Sequence, residues 1–333
     1  MSKKTRYFLL VSGAILIVGL GTGLVASYLG LPVSLSSQAA GPAELQYVPP
    51  DAAVVAYANV RDVMNSEFRR RFRELEPPST DRDQFEQKTG LDIERDIDSV
   101  VAAFMPGTDD LSARPERSAV VLARGRFEAA RLEALALEHG GTAEDYKGKR
   151  LLTRLDSGKT DADGMAVGFI EADLVGLGSA EAVKRAIDAG ADHRNVASNN
   201  DLMRLVAELD NSNVWAVGRF DALARQARLP SEVQAQLPTV TWFSAAGHVN
   251  GGVNGVFKAE ARDEAAAQNL RDVVRGFLAM ARLQAGSRPG MQQMVDSLQL
   301  TGEGTTVALA FSIPSEFFDA LEAMAKQRQG NGR

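Results

Sequence analysis

The chain has 333 residues, no cysteine, 45% hydrophobic and 24% charged residues, and a formal charge of −6. That length suits one or two domains of roughly 100 to 200 residues beside any targeting segment, and the composition is that of a folded protein. The missing cysteine excludes disulfides, thiolate nucleophiles, cysteine-ligated zinc and cysteine-linked lipid anchors. Setting aside Lys3, Lys4 and Arg6 leaves 34 of the 37 bases against 43 acids, a charge of −9, so nucleic acid is not expected as a partner.

From Tyr7 to Tyr28 the sequence YFLLVSGAILIVGLGTGLVASY carries no charge, and the next ionisable residue is Glu44. Roughly 20 apolar residues cross a hydrocarbon core of about 30 Å, so residues 7–28 read as one N-terminal transmembrane helix with the lipid bilayer as its partner. The preceding cations place residues 1–6 in the cytoplasm. The anchor then sits in the cytoplasmic membrane, with the body exported to the periplasm or cell exterior. A cleavable signal peptide is the rival reading, since Ser37-Gln38-Ala39 offers a small-x-small site, but the apolar run exceeds the roughly 7 to 15 residues of a signal core. Gly19 and Gly23 have the spacing that lets two spanning helices pack as a homodimer, although glycine is also common in spans without that role.

Residues 29–49 are rich in Pro, Ser, Ala and Gly without periodicity and read as a linker. The folded body is expected from Pro50, as a first α+β half over 50–210, a second over 211–328 and a polar tail over 329–333. VVAYANV (54–60) reads as a strand, and Met64, Phe68, Phe72 and Leu75 form one apolar helical stripe. Arg69, Arg70, Arg71 and Arg73 lie on that helix among Glu67, Glu74 and Glu76, which fits a solvated face better than a phosphate-binding patch. SVVAAFM (99–105) and SAVVLARG (118–125) read as strands, and FEAARLEALALEHGG as a helix ending at Gly140-Gly141. Hairpin-type strands follow over 146–155, 164–170 and 174–178, then the helix SAEAVKRAIDAGA.

The second half repeats this grammar. NVWAVGRF (213–220) is a strand leading into a helix, TVTWFSAAGHVNGGVNGVFKAEA supplies two long strands, and DEAAAQNLRDVVRGFLAMARLQAG is a long helix. Its buried face is expected at Leu270, Val273, Val274, Phe277, Leu278 and Ala281. LQLTGEGTTVALAFSI gives two strands around a Gly-Glu-Gly turn, and PSEFFDALEAMAKQR a closing helix. VVLARGRFEAARL and VWAVGRFDALARQ share Gly-Arg-Phe and an acid at Glu128 and Asp221. Their spacing suggests a degenerate internal duplication of about 95 residues. Arg126 and Arg219 are expected to be exposed and Phe127 and Phe220 to be in the core. VVAYANVRDV uses a similar joint through Asn59, Arg61 and Asp62, which points to a folding device and not a catalytic one.

Several fragments imitate functional motifs. Ser157-Gly158-Lys159-Thr160 resembles the end of a P-loop, but Thr153 stands where the first glycine belongs. Gly176-Leu177-Gly178-Ser179 resembles a dinucleotide fingerprint, but Glu181 occupies the third glycine position, and Ser179 serves equally as a helix N-cap. Asp161, Asp163, Glu171 and Asp173 could hold a weakly bound calcium ion, although solvated turn carboxylates meet the pattern as well. His139, His193 and His248 show no metal-ligand spacing, no Gly-x-Ser-x-Gly elbow is present, and Trp215 and Trp242 suit a core better than a groove. The reading therefore assigns no catalytic residue, no cofactor and no metal.

The uncharged span, the Tyr-Val-Pro-Pro-Asp-Ala segment (47–52) before VVAYANV, the Gly-Arg-Phe joints and the Gly-Ser helix start after a hairpin resemble a group of uncharacterised, membrane-anchored extracytoplasmic bacterial proteins. The resemblance spans most of residues 47–325 and brings no catalytic residue with it. The expected fold is α+β, with antiparallel sheets, packed helices and an internal duplication behind one transmembrane helix. The expected function is non-enzymatic binding or scaffolding of envelope proteins. An envelope hydrolase and small-ligand capture between the halves stand as alternatives. An enzyme should gather perturbed ionisable groups in a pocket, whereas a binding module should expose an apolar patch or strand edge.

Overall fold

The computed structural model describes residues 41–75, 80–105, 119–154, 165–209, 212–222, 240–285, 292 and 295–313. The expected span over 7–28 with Gly19 and Gly23, the motif at 157–160, Asp161, Asp163 and the closing helix lie outside these residues. Among the described residues, no helix is long and apolar enough to cross a membrane.

In chain order, a 3-10 helix (Ala43–Tyr47) leads into β1 (Val54–Asn59), α1 (Val60–Asn65), α2 (Glu67–Leu75), α3 (Thr80–Thr89) and α4 (Ile93–Asp96). Next come β2 (Ile97–Phe104), β3 (Ala119–Gly125), α5 (Ala129–Glu138), β4 (Gly141–Tyr146), β5 (Lys149–Arg154), β6 (Met165–Glu171) and β7 (Leu174–Ser179). The chain continues with α6 (Ala180–Ala191), α7 (Asn200–Ala207), β8 (Val214–Arg219), β9 (Val240–Val249), β10 (Val253–Ala261), α8 (Glu264–Ala285), β11 (Gln299–Thr301) and β12 (Thr306–Ile313). The fold class is α+β, and the pairings between these strands are antiparallel.

The chain divides into two compact units. One takes the described residues of Ala39–Met64 and Pro77–Asp210, the other those of Asn65–Glu76 and Asn211–Arg333.

In the first unit the strand order is β1-β2-β3-β7-β6-β5-β4. β2 alternates strictly, with Ile97, Ser99, Val101 and Ala103 buried, the period-2 signature of a strand with one face on a core. α6 buries Ala182, Val183, Ala186, Ile187 and Ala189 along one helical face against β6 and β7. Gly168 and Gly176 face each other in the β6/β7 register beneath Val183. A Cβ at Gly168 would come 2.5 Å from the Val183 Cγ1, so the glycine pair sets how closely α6 approaches the hairpin.

In the second unit the order is β8-β9-β10-β12-β11. Phe243 stacks on Phe257 with centroids 6.0 Å apart and meets Phe220 edge-on at 6.5 Å. Buried Asn213 donates its side-chain amide to the Val249 carbonyl (2.9 Å) and accepts the Val249 N–H (3.0 Å), extending the β8/β9 ladder by a side chain. α8 sets Ala266 and Ala267 against Ala261 and Val307, with Leu270 and Leu300 at the margin.

Several expectations change. The folded body begins earlier than Pro50: within the segment assigned to the linker, Ala43–Tyr47 forms a helix with Glu44, Leu45 and then Val48 buried. The stripe from Met64 to Leu75 is split between α1 and α2 at Ser66, whose hydroxyl accepts the Arg69 N–H at 3.1 Å. β4 was not anticipated, because GTAEDY carries two acids and pairs on one side only, with β5. Its turn at Lys147-Gly148 has positive φ at both residues (50° and 74°), as two-residue hairpins require.

The recurrence also has a different phase. Each unit runs first strand, second, third, last, penultimate across its sheet, so β1 matches β8, about 160 residues later. Gly125 ends a third strand and Gly218 lies in a first, so the shared Gly-Arg-Phe is not the register of the repeat. The first unit adds the β4/β5 hairpin.

Candidate functional site

The largest cluster of ionised side chains in the first unit forms at the end of β3. Alternation along AVVLARG places Arg124 at an intermediate depth, its side chain 22% exposed. Its Nε donates to Glu44 Oε1 (2.6 Å), one terminal nitrogen to Glu171 Oε2 (3.0 Å) and the other to Asp173 Oδ2 (2.8 Å). Three elements supply these carboxylates: the 3-10 helix, the end of β6 and the β6/β7 turn. Ser99 on β2 donates its hydroxyl to Glu44 Oε1 (3.0 Å), and Tyr47 donates to Glu171 Oε1 (2.6 Å). Tyr47 also lies over Gly190 of α6, where an added Cβ would collide with its ring.

The Glu44 side chain is only 4% exposed, so its charge depends on these partners for the solvation that water would otherwise give. Burial alone would lower the Arg124 pKa, but its bonds to Asp173, Glu44 and Glu171 outweigh that and hold it above the ordinary arginine value. Burial, then the bond to Glu171, pushes the Tyr47 hydroxyl up to about 12. Burial, with the charges of Glu44 and Asp62, also raises Tyr57. Each of these groups therefore keeps its proton at neutral pH. The arrangement consumes the fork geometry of the guanidinium and clamps residues 43–47 onto β3 and the β6/β7 turn.

A second feature lies at the first Gly-Arg-Phe joint. A cleft of about 260 Å³ is lined by Thr89, Gly90, Asp96, Arg126, Phe127 and Glu128, among others. It is smaller than the roughly 300 to 1,000 Å³ of typical small-molecule sites. Its charges are already matched: Arg126 donates to Asp96 Oδ1 and to the Arg95 carbonyl, both at 2.9 Å. A Cβ at Gly125 would collide with the Asp96 carbonyl oxygen, so the glycine is required by the close crossing of two backbones.

All three joints use their arginine in the same way. Arg61 pairs with Asp98, Arg126 with Asp96 and Arg219 with Asp221. Arg126 and Arg219 are exposed as expected, but Phe127 and Phe220 are half-buried at the core margin.

The other candidate residues occupy ordinary structural positions. Ser179 caps α6, its hydroxyl accepting the Ala182 N–H at 3.1 Å. The strands before it form the antiparallel β6/β7 pair, not a crossover unit. Glu171 and Asp173, read as possible calcium ligands, meet the Arg124 guanidinium instead. His139 ends α5 with Nδ1 2.9 Å from the Leu135 carbonyl, His193 follows α6 at φ 53°, and His248 is exposed on β9. Trp215 is buried and Trp242 half-buried. In the polybasic segment, Arg71 pairs with Glu67 at 2.9 Å.

Sequence reasoning missed the Arg124 cluster. Two signals were present: a charged residue inside an otherwise apolar strand, and Glu44 as the first acid after a long uncharged run.

These features define an α+β protein whose main ionic cluster in the first unit ties a chain segment down. No protein family and no curated protein matches the sequence. Among solved structures it is similar to TP0453 in crystal form III, with a TM-score of 0.45 and 11% identity over 85% of this chain and 99% of that one. Crystal form I of the same protein gives 0.44 and 13% over 86% and 99%.

Proposed function

We propose that the protein is a non-enzymatic binding or scaffold module of the cell envelope, held at the cytoplasmic membrane by residues 7–28 with its body exported. One observation carries the non-enzymatic part: every resolved pKa shift among the described residues drives its group deeper into its ordinary charge state. Glu133 is lowered and Arg150 raised by their mutual hydrogen bond. Asp263 is lowered by the Ala266 N–H, and Lys147 is raised by its bond to Asp188. The Asp92 charge raises Arg95. At Asp92 itself burial acts upward, but the Glu94 N–H and Arg95 outweigh it and the net shift is downward. Burial, then the bond to Asp188, raises Tyr146. A general acid or base needs a pKa brought toward the working pH, the opposite direction.

The test is cross-linking of the full-length protein in native membranes, followed by purification, with residues 1–40 alone as control. The reading expects a reproducible partner that requires residues 41–313. It fails if no partner is captured and the purified chain turns over peptide, glycan or ester substrates. Protease added to intact spheroplasts checks the exported orientation: the body should be digested, and its full protection would refute export.

A further inference from the structure

α8 changes character halfway along. Its first part, Glu264 to Asp272, presents Gln268, Asn269 and Asp272 to solvent, as a surface helix should. From Val273 to Ala285 the only polar side chains are Arg275, Arg282 and Gln284. On the core side, Leu278 and Ala285 are buried. Yet Phe277, Met280 and Leu283 are 57%, 50% and 85% exposed. At successive i+3 positions they cover a sector about 120° wide, and exposed Gly276 and Ala279 fall in or beside it. A helix that is apolar on both faces is one whose outer face has a cover.

Charge indicates the cover. Between Asp272 and Asp296 the chain has Arg275, Arg282 and Arg288 and no acid, a run of +3 in a body of −9. Arg275 and Arg282 are exposed and flank the apolar sector on the helix. Large exposed apolar side chains beside cations are the pattern of a helix lying in the plane of an anionic membrane surface. A second copy would bring the same arginines against each other, which disfavours a self-contact.

We infer that the C-terminal half of α8 docks on an anionic lipid surface, with Phe277, Met280 and Leu283 entering the interface and Arg275 and Arg282 meeting headgroup phosphates. This rests on the proposed anchoring by residues 7–28. Only 12 residues separate Tyr28 from Gly41, a reach of about 40 Å when fully extended, so a tethered body stays beside the bilayer.

The absence of native cysteine permits a direct test. Full-length Leu283→Cys carrying a bimane label is reconstituted in phosphatidylcholine vesicles with or without one third phosphatidylglycerol, all containing acyl-chain-brominated lipid as quencher. Glu303→Cys, on the exposed β11/β12 turn, is the reference. Strong quenching at 283 but not at 303, only with phosphatidylglycerol, is expected. Arg275→Gln and Arg282→Gln should each weaken it about fivefold, the equivalent of ~1 kcal/mol per arginine. Phe277→Ser with Met280→Ser should abolish it. Three results would overturn the inference: equal quenching at 283 and 303, equal quenching in both vesicle types, or a lipid-independent emission shift that grows with protein concentration, which would mark a self-contact. Flotation of the unlabelled chain reads the anchor separately, so failure of anchoring and failure of docking give different results.

Discussion

Replacing Arg124 by methionine keeps much of the side-chain stem and removes the guanidinium. It leaves Glu44, whose side chain is 4% exposed, with the Ser99 hydroxyl as its remaining side-chain partner in the cluster. Removing one partner of a buried ion pair typically costs about 3 to 5 kcal/mol. The lower end applies here, because Glu171 and Asp173 are 33% and 57% exposed and can turn to water, so their loss counts for little. About 3 kcal/mol corresponds to roughly a 100-fold loss of protection against local opening. Hydrogen exchange read by mass spectrometry over residues 43–48 measures it, since Val48 N–H donates to the Leu45 carbonyl and Val196 N–H to the Val48 carbonyl. Adding Glu44→Gln should recover about 1 kcal/mol or more, because a neutral amide costs less to bury than an unpaired carboxylate. Unchanged protection at 43–48 would refute the clamp. Equal loss of protection over β4 and β5 would refute its local character.

Tyr47→Phe should flatten the alkaline limb of stability. The free hydroxyl titrates near 10 and the folded one at about 12, so the contribution is complete below pH 10 and is lost between pH 10 and 12 as the unfolded chain ionises first. Thermal melts across that range should show a smaller decline in the variant, with Tyr57 and Tyr146 supplying what remains. Gly125→Ala should cost about 3 kcal/mol or prevent folding, since the new methyl meets a backbone oxygen that cannot move aside. Gly276→Ala, in a helix with nothing near the added Cβ, should instead stabilise by about 0.5 to 1 kcal/mol; chemical denaturation compares the two. Ser179→Ala should cost about 1 kcal/mol as a lost helix cap, and dinucleotides should not raise the melting temperature of the unmodified chain.

The pattern of apolar residues carried most of the element assignments. VVAYANV, SVVAAFM and SAVVLARG correspond to β1, β2 and β3, and the two long strands around Gly251-Gly252 correspond to β9 and β10. Local chemistry also marked Ser179 as a cap and the arginines of the joints as exposed. These features are set within a few residues of the chain, where periodicity and capping act.

Pairing across long separations escaped the same reading. Glu44 meets Arg124 from 80 residues away, so a segment that looks like linker becomes part of the folded body. The repeat was misphased because Gly-Arg-Phe is a local solution for leaving a strand, usable by a first strand or a third, whereas the phase of a repeat is defined by which strands pair. Phe277 was assigned to the core because helical period alone locates an apolar face without saying what covers it. The sequence by itself determined the α+β class, the elements and their local joints, because those depend on neighbours in the chain. Only the tertiary structure decided the sheet order, the clamp on Arg124 and the exposed face of α8, because each depends on which distant surfaces meet.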